Sequence, residues 1–285
     1  MLVTLVIKFS RRWCLVPFFE NFKKLKFPEE KINLLAINNT SDDVITQGMM
    51  SYISPMSEKF KEIHIMQTNE KVLDRYHPYN FKEVPLPFHT HSARRSFELQ
   101  KLICSLVKTS IHIQFEDDTL SHPNCIIALM AMMKREDVVA ATTPCPHRQK
   151  GFKVVGHNAY NIMEFNGEGF LTRRSNYPVY REGIYEVEGT GYCGIAFRKE
   201  AFESALSWVE RLPFRIIGSG SDIYVTSHMK KGGGKILCDF SCWNVHMDLQ
   251  GTEIIQNTVE NCKPWDWVWR PRRGAYRLKF VGEDD

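Results

Sequence analysis

The chain has 285 residues, of which 43% are hydrophobic and 25% charged, and its formal net charge is +4. That balance excludes a disordered chain, a collagen-like repeat and a coiled coil, and so mild a basic excess does not by itself mark a nucleic-acid binder. A chain of this length buries roughly 75% of its unfolded surface and needs no disulfides to hold together.

In chain order, the continuously apolar run at residues 2–7 suits a strand buried on both faces. Its basic residues Lys8, Arg11 and Arg12 follow rather than precede it, the reverse of a secretory signal. Residues 32–37 form a second such run, ending at the turn and N-cap chemistry of Asn38-Asn39-Thr40-Ser41-Asp42-Asp43. Residues 63–66 suit a third strand. Between 93 and 108 the period becomes helical, with Leu99, Leu102, Ile103 and Leu106 on one face. Ile111, Ile113 and Phe115 then alternate as a strand that runs into Glu116-Asp117-Asp118. Ser121 and Pro123 suit a helix start before Ile126, Ile127, Met130 and Met133.

Residues 138–142 read as the next strand, and 144–181 as loops with a short hairpin. Residues 185–197 read as strand around Gly189-Thr190-Gly191, followed by a helix over 199–208. A second helix starts near Asp222 and stops at Gly232-Gly233-Gly234, before a short strand at 235–238 leading to His246. Alternation of strand and helix predicts an α/β fold: a mostly parallel sheet flanked by helices, with a small second sheet. With no repeat and no linker, a single domain is expected.

The eight cysteines are scattered, several within apolar runs, as expected of free thiols in a reduced compartment. Cys238 and Cys242 lack a second pair at zinc-finger spacing. No apolar stretch approaches the ~18 residues of a membrane span. The expected location is cytoplasmic.

The strongest chemical signal is the acidic triplet at a strand's carboxyl end, where ligands bind in open α/β sheets. Three adjacent carboxylates repel unless a cation neutralises them. On an extended strand Glu116 and Asp118 share a side, so both can face one ion, and hard oxygen ligands favour Mg2+ or Mn2+. A solvated acidic turn capping the next helix is the competing reading.

Order and spacing decide between them. The chain resembles the GT-A glycosyltransferases, above all the family 2 type, across residues 1 to about 246, with 144–184 unmatched. Residues 2–10 look like that family's first strand and nucleobase loop, and 32–43 like its second strand and Asp-rich turn. Residues 111–118 look like its Asp-X-Asp metal strand, here Glu-Asp-Asp, and 189–197 and 218–246 like its acceptor side. The resemblance implies a GT-A fold with a nucleotide-sugar-binding half (1–142), an acceptor-side half (143–250) and an aromatic, basic extension (251–285).

It further implies transfer of a sugar from a nucleotide-diphosphate sugar, with Mn2+ or Mg2+. Asp118 would ligate the metal with His246 and Glu116; Glu116 would also meet the donor ribose or the metal's water shell, and Asp117 the sugar. His122 is a weaker competitor for His246. Asp222 would be the general base of an inverting displacement, a position whose other reading is a helix N-cap. Where the family has Glu-Asp this chain has Ser221-Asp222, and where it has Asp at the nucleobase turn this chain has Asn38. Asparagine both donates and accepts, so a UDP-sugar is the first candidate donor and other bases stay open. Phe9 and Ser10 would stack on and bond to the base, Asp43 belongs to the same turn, and Arg94 and Arg95 either meet the diphosphate or form a solvated helix face. The acceptor is open among a glycan, a lipid carrier, a protein and modified DNA.

Trp265, Trp267 and Trp269 alternate on one face of an extended segment, as a stacking platform or, more simply, as cover for the sheet. The basic run from Arg270 to Lys279 suits an anionic partner or a solvated surface. A metal-dependent nucleotidyltransferase or phosphohydrolase, and an inactive glycan- or nucleic-acid-binding module of the same fold, are the alternatives. Neither a P-loop nor a Gly-X-Ser-X-Gly elbow is present.

Overall fold

The computed structural model describes residues 2–68, 88–145, 162–165, 171–173, 183–212 and 221–246, with the side chains of Trp13, 88–94, Ser221, Ile223, Val245, His246 and the short strands at 162–165 and 171–173 left aside. The tryptophan-rich segment and the basic run lie outside these residues.

Eight strands form the main sheet: β1 (Val3–Phe9), β2 (Ile32–Asn38), β3 (Phe60–Gln67), β4 (Ile111–Glu116), β6 (Val138–Thr142), β9 (Ile184–Val187), β11 (Ile195–Arg198) and β12 (Lys235–Asp239). Their order is β3-β2-β1-β4-β11-β6-β12-β9. β3, β2, β1 and β4 are mutually parallel, as are β6 and β12, while β11 and β9 run against their neighbours. Among the remaining described strands, β7 (Ile162–Phe165), β8 (Leu171–Arg173) and β10 (Gly189–Thr190) form a three-stranded sheet, and β5 (Thr119–Ser121) pairs with β13 (Asn244–His246).

The expected α/β architecture with its small second sheet is therefore present. Both faces of the main sheet are covered, which explains why β1 reads as an unbroken apolar run. Alternate residues divide between two layers. Leu5, Ile7 and Phe9 pack on the face covered by α1 (Leu15–Phe22), α2 (Asp43–Ile53) and α4 (Cys125–Met133). Val6, Leu35 and Ile37 meet Leu99 and Ile103 of α3 (Phe88–Leu106), and Val107 just after it, on the other. Beside them, Ile195, Phe197 and Ile236 pack against α5 (Lys199–Val209) and α6 (Ser221–Lys231). Among the described residues no helix is long and apolar enough to cross a membrane.

Because β1 to β4 are parallel, their carboxyl ends share one edge. Phe9 lies opposite Asn38, Asn38 opposite Gln67, and Lys8 opposite Glu116.

Candidate active site

β4 ends at Glu116, and Asp117-Asp118 form a tight turn into β5. The alternation that would have paired Glu116 with Asp118 stops where the strand stops, so the convergence is different from the expected one. Asp117 and Asp118 meet each other's partner: Arg11 Nη1 lies 2.6 Å from Asp117 Oδ1 and 2.8 Å from Asp118 Oδ2. Glu116 instead turns to Lys8, whose Nζ lies 3.4 Å from its Oε1, and accepts from Cys193 Sγ at 3.6 Å.

Asp117 also organises the loop after β1. Its Oδ2 accepts from the backbone N–H of Ser10 (2.7 Å) and of Arg11 (2.8 Å), and from Ser10 Oγ (3.2 Å). A buried carboxylate so surrounded anchors the loop, a role that its expected place beside the sugar did not include. Burial pushes its pKa up, against the opposing pull of Arg11 and the Ser10 donors.

Two nucleobase expectations change as well. Phe9 is fully buried, stacked on Phe19 (5.3 Å) and edge-on to Phe18 (5.0 Å), so its ring is core and faces no ligand. Its neighbour Ser10 is exposed on the loop. Asn38 is fully buried, its amide donating to Asp42 O and Thr46 Oγ1 (2.9 Å each) and accepting from Thr40 N (3.0 Å) and Thr40 Oγ1 (2.8 Å). All its bonding capacity goes to the turn, leaving none for a base. Asp42 caps α2 by accepting from Val44 N, and Asp43, exposed in the first turn, accepts from Gln67 Nε2 (3.1 Å). Arg95 is exposed, and the side chain of Arg94 is outside the described residues.

The late histidine arrives by strand pairing. In the β5–β13 ladder His246 lies opposite Thr119, the residue after Asp118. The competitor His122 packs its ring on Trp243 (4.6 Å) and accepts from Asn124 N, which is a structural role. Among the described residues no group of three or more His, Cys, Asp or Glu is arranged to hold a metal. The pair of hard carboxylates nevertheless suits a cation: they already share one, the Arg11 guanidinium.

Asp222 lies within the first turn of α6 and so is not the residue capping it. Its negative charge is favourable beside the helix N-terminus. The turn is tied to β10 by Thr226, whose Oγ1 accepts from Thr190 N and lies 3.0 Å from both Thr190 O and Asp222 O. Tyr192 is buried with its phenol influenced by Asp222 and Glu116; burial first, then these two charges, raise its pKa well above the ordinary value. Lys8, Arg11 and Cys193 contact the acidic triplet, and Tyr192 lies under Lys8; motif reading passes over all four. Lys8, which the sequence places after the first strand, lies within it, because β1 runs on to Phe9.

No family model matches the chain, and no curated protein is similar to it at a significant level. Solved structures are similar in fold. One is GalNAc-T7 with UDP, GalNAc and Mn2+, at a TM-score of 0.54 and 13% identity, covering 88% of this chain and 45% of that one. Another is the mannosyltransferase PcManGT from Pyrobaculum calidifontis in complex with GDP-Man and Mn2+, at 0.51 and 11%, covering 89% and 59%. The chain therefore spans about half the length of the structures it resembles. At such identities the likeness establishes the fold, a GT-A type of mixed α/β architecture.

Proposed function

We propose that the chain is a metal-dependent glycosyltransferase that moves a sugar from a nucleotide-diphosphate sugar to an acceptor hydroxyl. One observation carries the reading. The acidic triplet, the Ser10–Arg11 loop and the His246 strand meet at the carboxyl edge of the parallel strands, and both similar structures hold a nucleotide and Mn2+. Asp118 would hold Mn2+ or Mg2+, with His246 and Glu116 as the further ligands that the family resemblance implies; when bound, the ion would neutralise the charge developing on the leaving diphosphate.

The chain's own residues do the rest. The loop fixed by Asp117 presents Ser10 and Arg11 to the nucleotide. Asp222 acts as the base, taking the acceptor proton as the hydroxyl attacks opposite the leaving diphosphate; the displacement inverts the anomeric centre. The donor is a UDP-sugar in the first instance.

Nucleotide release from a panel of UDP- and GDP-sugars with Mn2+ tests this. Wild type should release the nucleoside diphosphate, Asp118→Ala should lose at least about 100-fold, and Asp222→Asn about 100-fold in transfer to a competent acceptor. Pyrophosphate as the product would assign nucleotidyl transfer instead. No release and no Mn2+-dependent nucleotide binding would overturn the proposal.

A further inference from the structure

The acidic pair of the proposed metal site already carries a cation of its own, and its geometry is that of an exchangeable one. A single nitrogen, Arg11 Nη1, lies between the two carboxylates, donating to Asp117 Oδ1 at 2.6 Å and forming an ion pair with Asp118 Oδ2 at 2.8 Å. The carboxylates are almost wholly buried (side chains 3% exposed), whereas the Arg11 side chain is 37% exposed and has solvent to move into. Its departure would leave the loop intact, because Asp117 holds the Ser10 and Arg11 backbone through its other oxygen, Oδ2. The Arg11 Cα is therefore a fixed pivot beneath a movable guanidinium.

Charge favours exchange at a defined moment. Lys8 pairs with Glu116, and one guanidinium, that of Arg11, serves both aspartates. A divalent ion that takes Asp118 through Oδ2 displaces the guanidinium, and one that takes it through Oδ1, which accepts no hydrogen bond, meets the repulsion of that same charge. Either way the locality gains positive charge, which an incoming diphosphate neutralises. A guanidinium fork matches phosphate oxygens as well as carboxylates.

Resting on the proposed metal-dependent transfer, we infer that Arg11 is the exchangeable counter-ion of this site. It competes with the divalent cation for Asp118, and once displaced it binds the diphosphate that arrives with that cation. Cation and nucleotide therefore bind cooperatively, each strengthening the other.

Calorimetric titration of MnCl2, alone and with UDP or GDP, tests the inference in wild type, Arg11→Ala, Arg11→Met and Asp118→Asn, each checked for folding by thermal unfolding. Removing a competing cation a few ångströms away should tighten Mn2+ binding without nucleotide about tenfold or more. In both Arg11 variants the nucleoside diphosphate should bind more weakly and the mutual strengthening should shrink. Asp118→Asn should abolish the Mn2+ site. Equal Asp118-dependent Mn2+ affinity in wild type and both Arg11 variants would overturn the counter-ion role and leave the metal reading standing. Absence of Asp118-dependent Mn2+ binding in every protein, with and without nucleotide, would overturn both.

Discussion

Lys8 and Glu116 face each other across the parallel β1–β4 pair, and their side chains meet at 3.4 Å. The two are unequally buried: the Lys8 side chain is 6% exposed and that of Glu116 32%. Lys8 also lies over the Tyr192 ring, 5.6 Å from its centroid. Glu116 can return to water if its partner is lost, whereas Lys8 cannot. Glu116→Gln should therefore cost about 2–3 kcal/mol, because it strands a buried ammonium, and Lys8→Met about 1 kcal/mol or less. Urea denaturation of the two variants checks the order, and equal losses would refute the asymmetry.

Phe9 separates a core role from a ligand role. Phe9→Leu should lower stability by about 1–2 kcal/mol through lost packing on Phe18 and Phe19. UDP and GDP affinity should change less than about twofold, since each tenfold requires about 1.4 kcal/mol of direct contact. A collapse of affinity at unchanged stability would put the ring back on the base.

His112 gives the fold a dependence on acid. Buried between Phe197 and Phe202, with Gln114 Nε2 3.0 Å from its Nε2, it is held neutral, and burial lowers its pKa to about 3. The unfolded chain takes up this proton near pH 6.5 and the folded chain does not until about pH 3. In that interval the unfolded state binds more protons, so stability is fully present above about pH 6.5 and falls as the pH drops, by up to about 1.4 kcal/mol per unit. His112→Gln should flatten the profile of denaturation midpoint between pH 6.5 and 4. A profile unchanged by the substitution would rule the residue out.

Gly194 precedes β11 with φ +57, and a Cβ there would strike the Asn244 amide. Asn244 is fully buried and donates to Thr143 Oγ1 and Cys193 O. Strain and collision together should make Gly194→Ala cost about 3 kcal/mol. Thermal unfolding measures it, and a loss under about 1 kcal/mol would show that Asn244 yields freely.

The sheet was legible because buried parallel strands leave unbroken apolar runs, and the expected 138–142 strand and the helix after residue 199 fall where they were placed. α1 was not, since Pro17 and a cluster of phenylalanines hide its period; only the packing of Phe18, Phe19 and Phe22 under Phe9 explains it. The acidic triplet announced the site by its charge. Its internal pairing did not follow, because the direction of Asp117 and Asp118 depends on a turn that brings them to Arg11, more than a hundred residues earlier in the chain. Such a partnership has no local signature. Asn38 failed for the opposite reason: a polar residue at a strand end looks the same whether it binds a ligand or its own turn.

β11 sits between β4 and β6, antiparallel to both, so these two strands never touch. The first half of the chain consequently cannot complete its own sheet. On the ribosome β4 presents an unpaired edge until residues 195–198 emerge, about 80 residues later, or several seconds at roughly 5–20 residues per second. An apolar edge left open for that long is the kind of surface on which chains pair wrongly with one another. The strand that ends in the acidic turn is thus secured on its β1 side long before its β11 side, and a slowing of synthesis between residues 117 and 195 prolongs the exposure of that second edge.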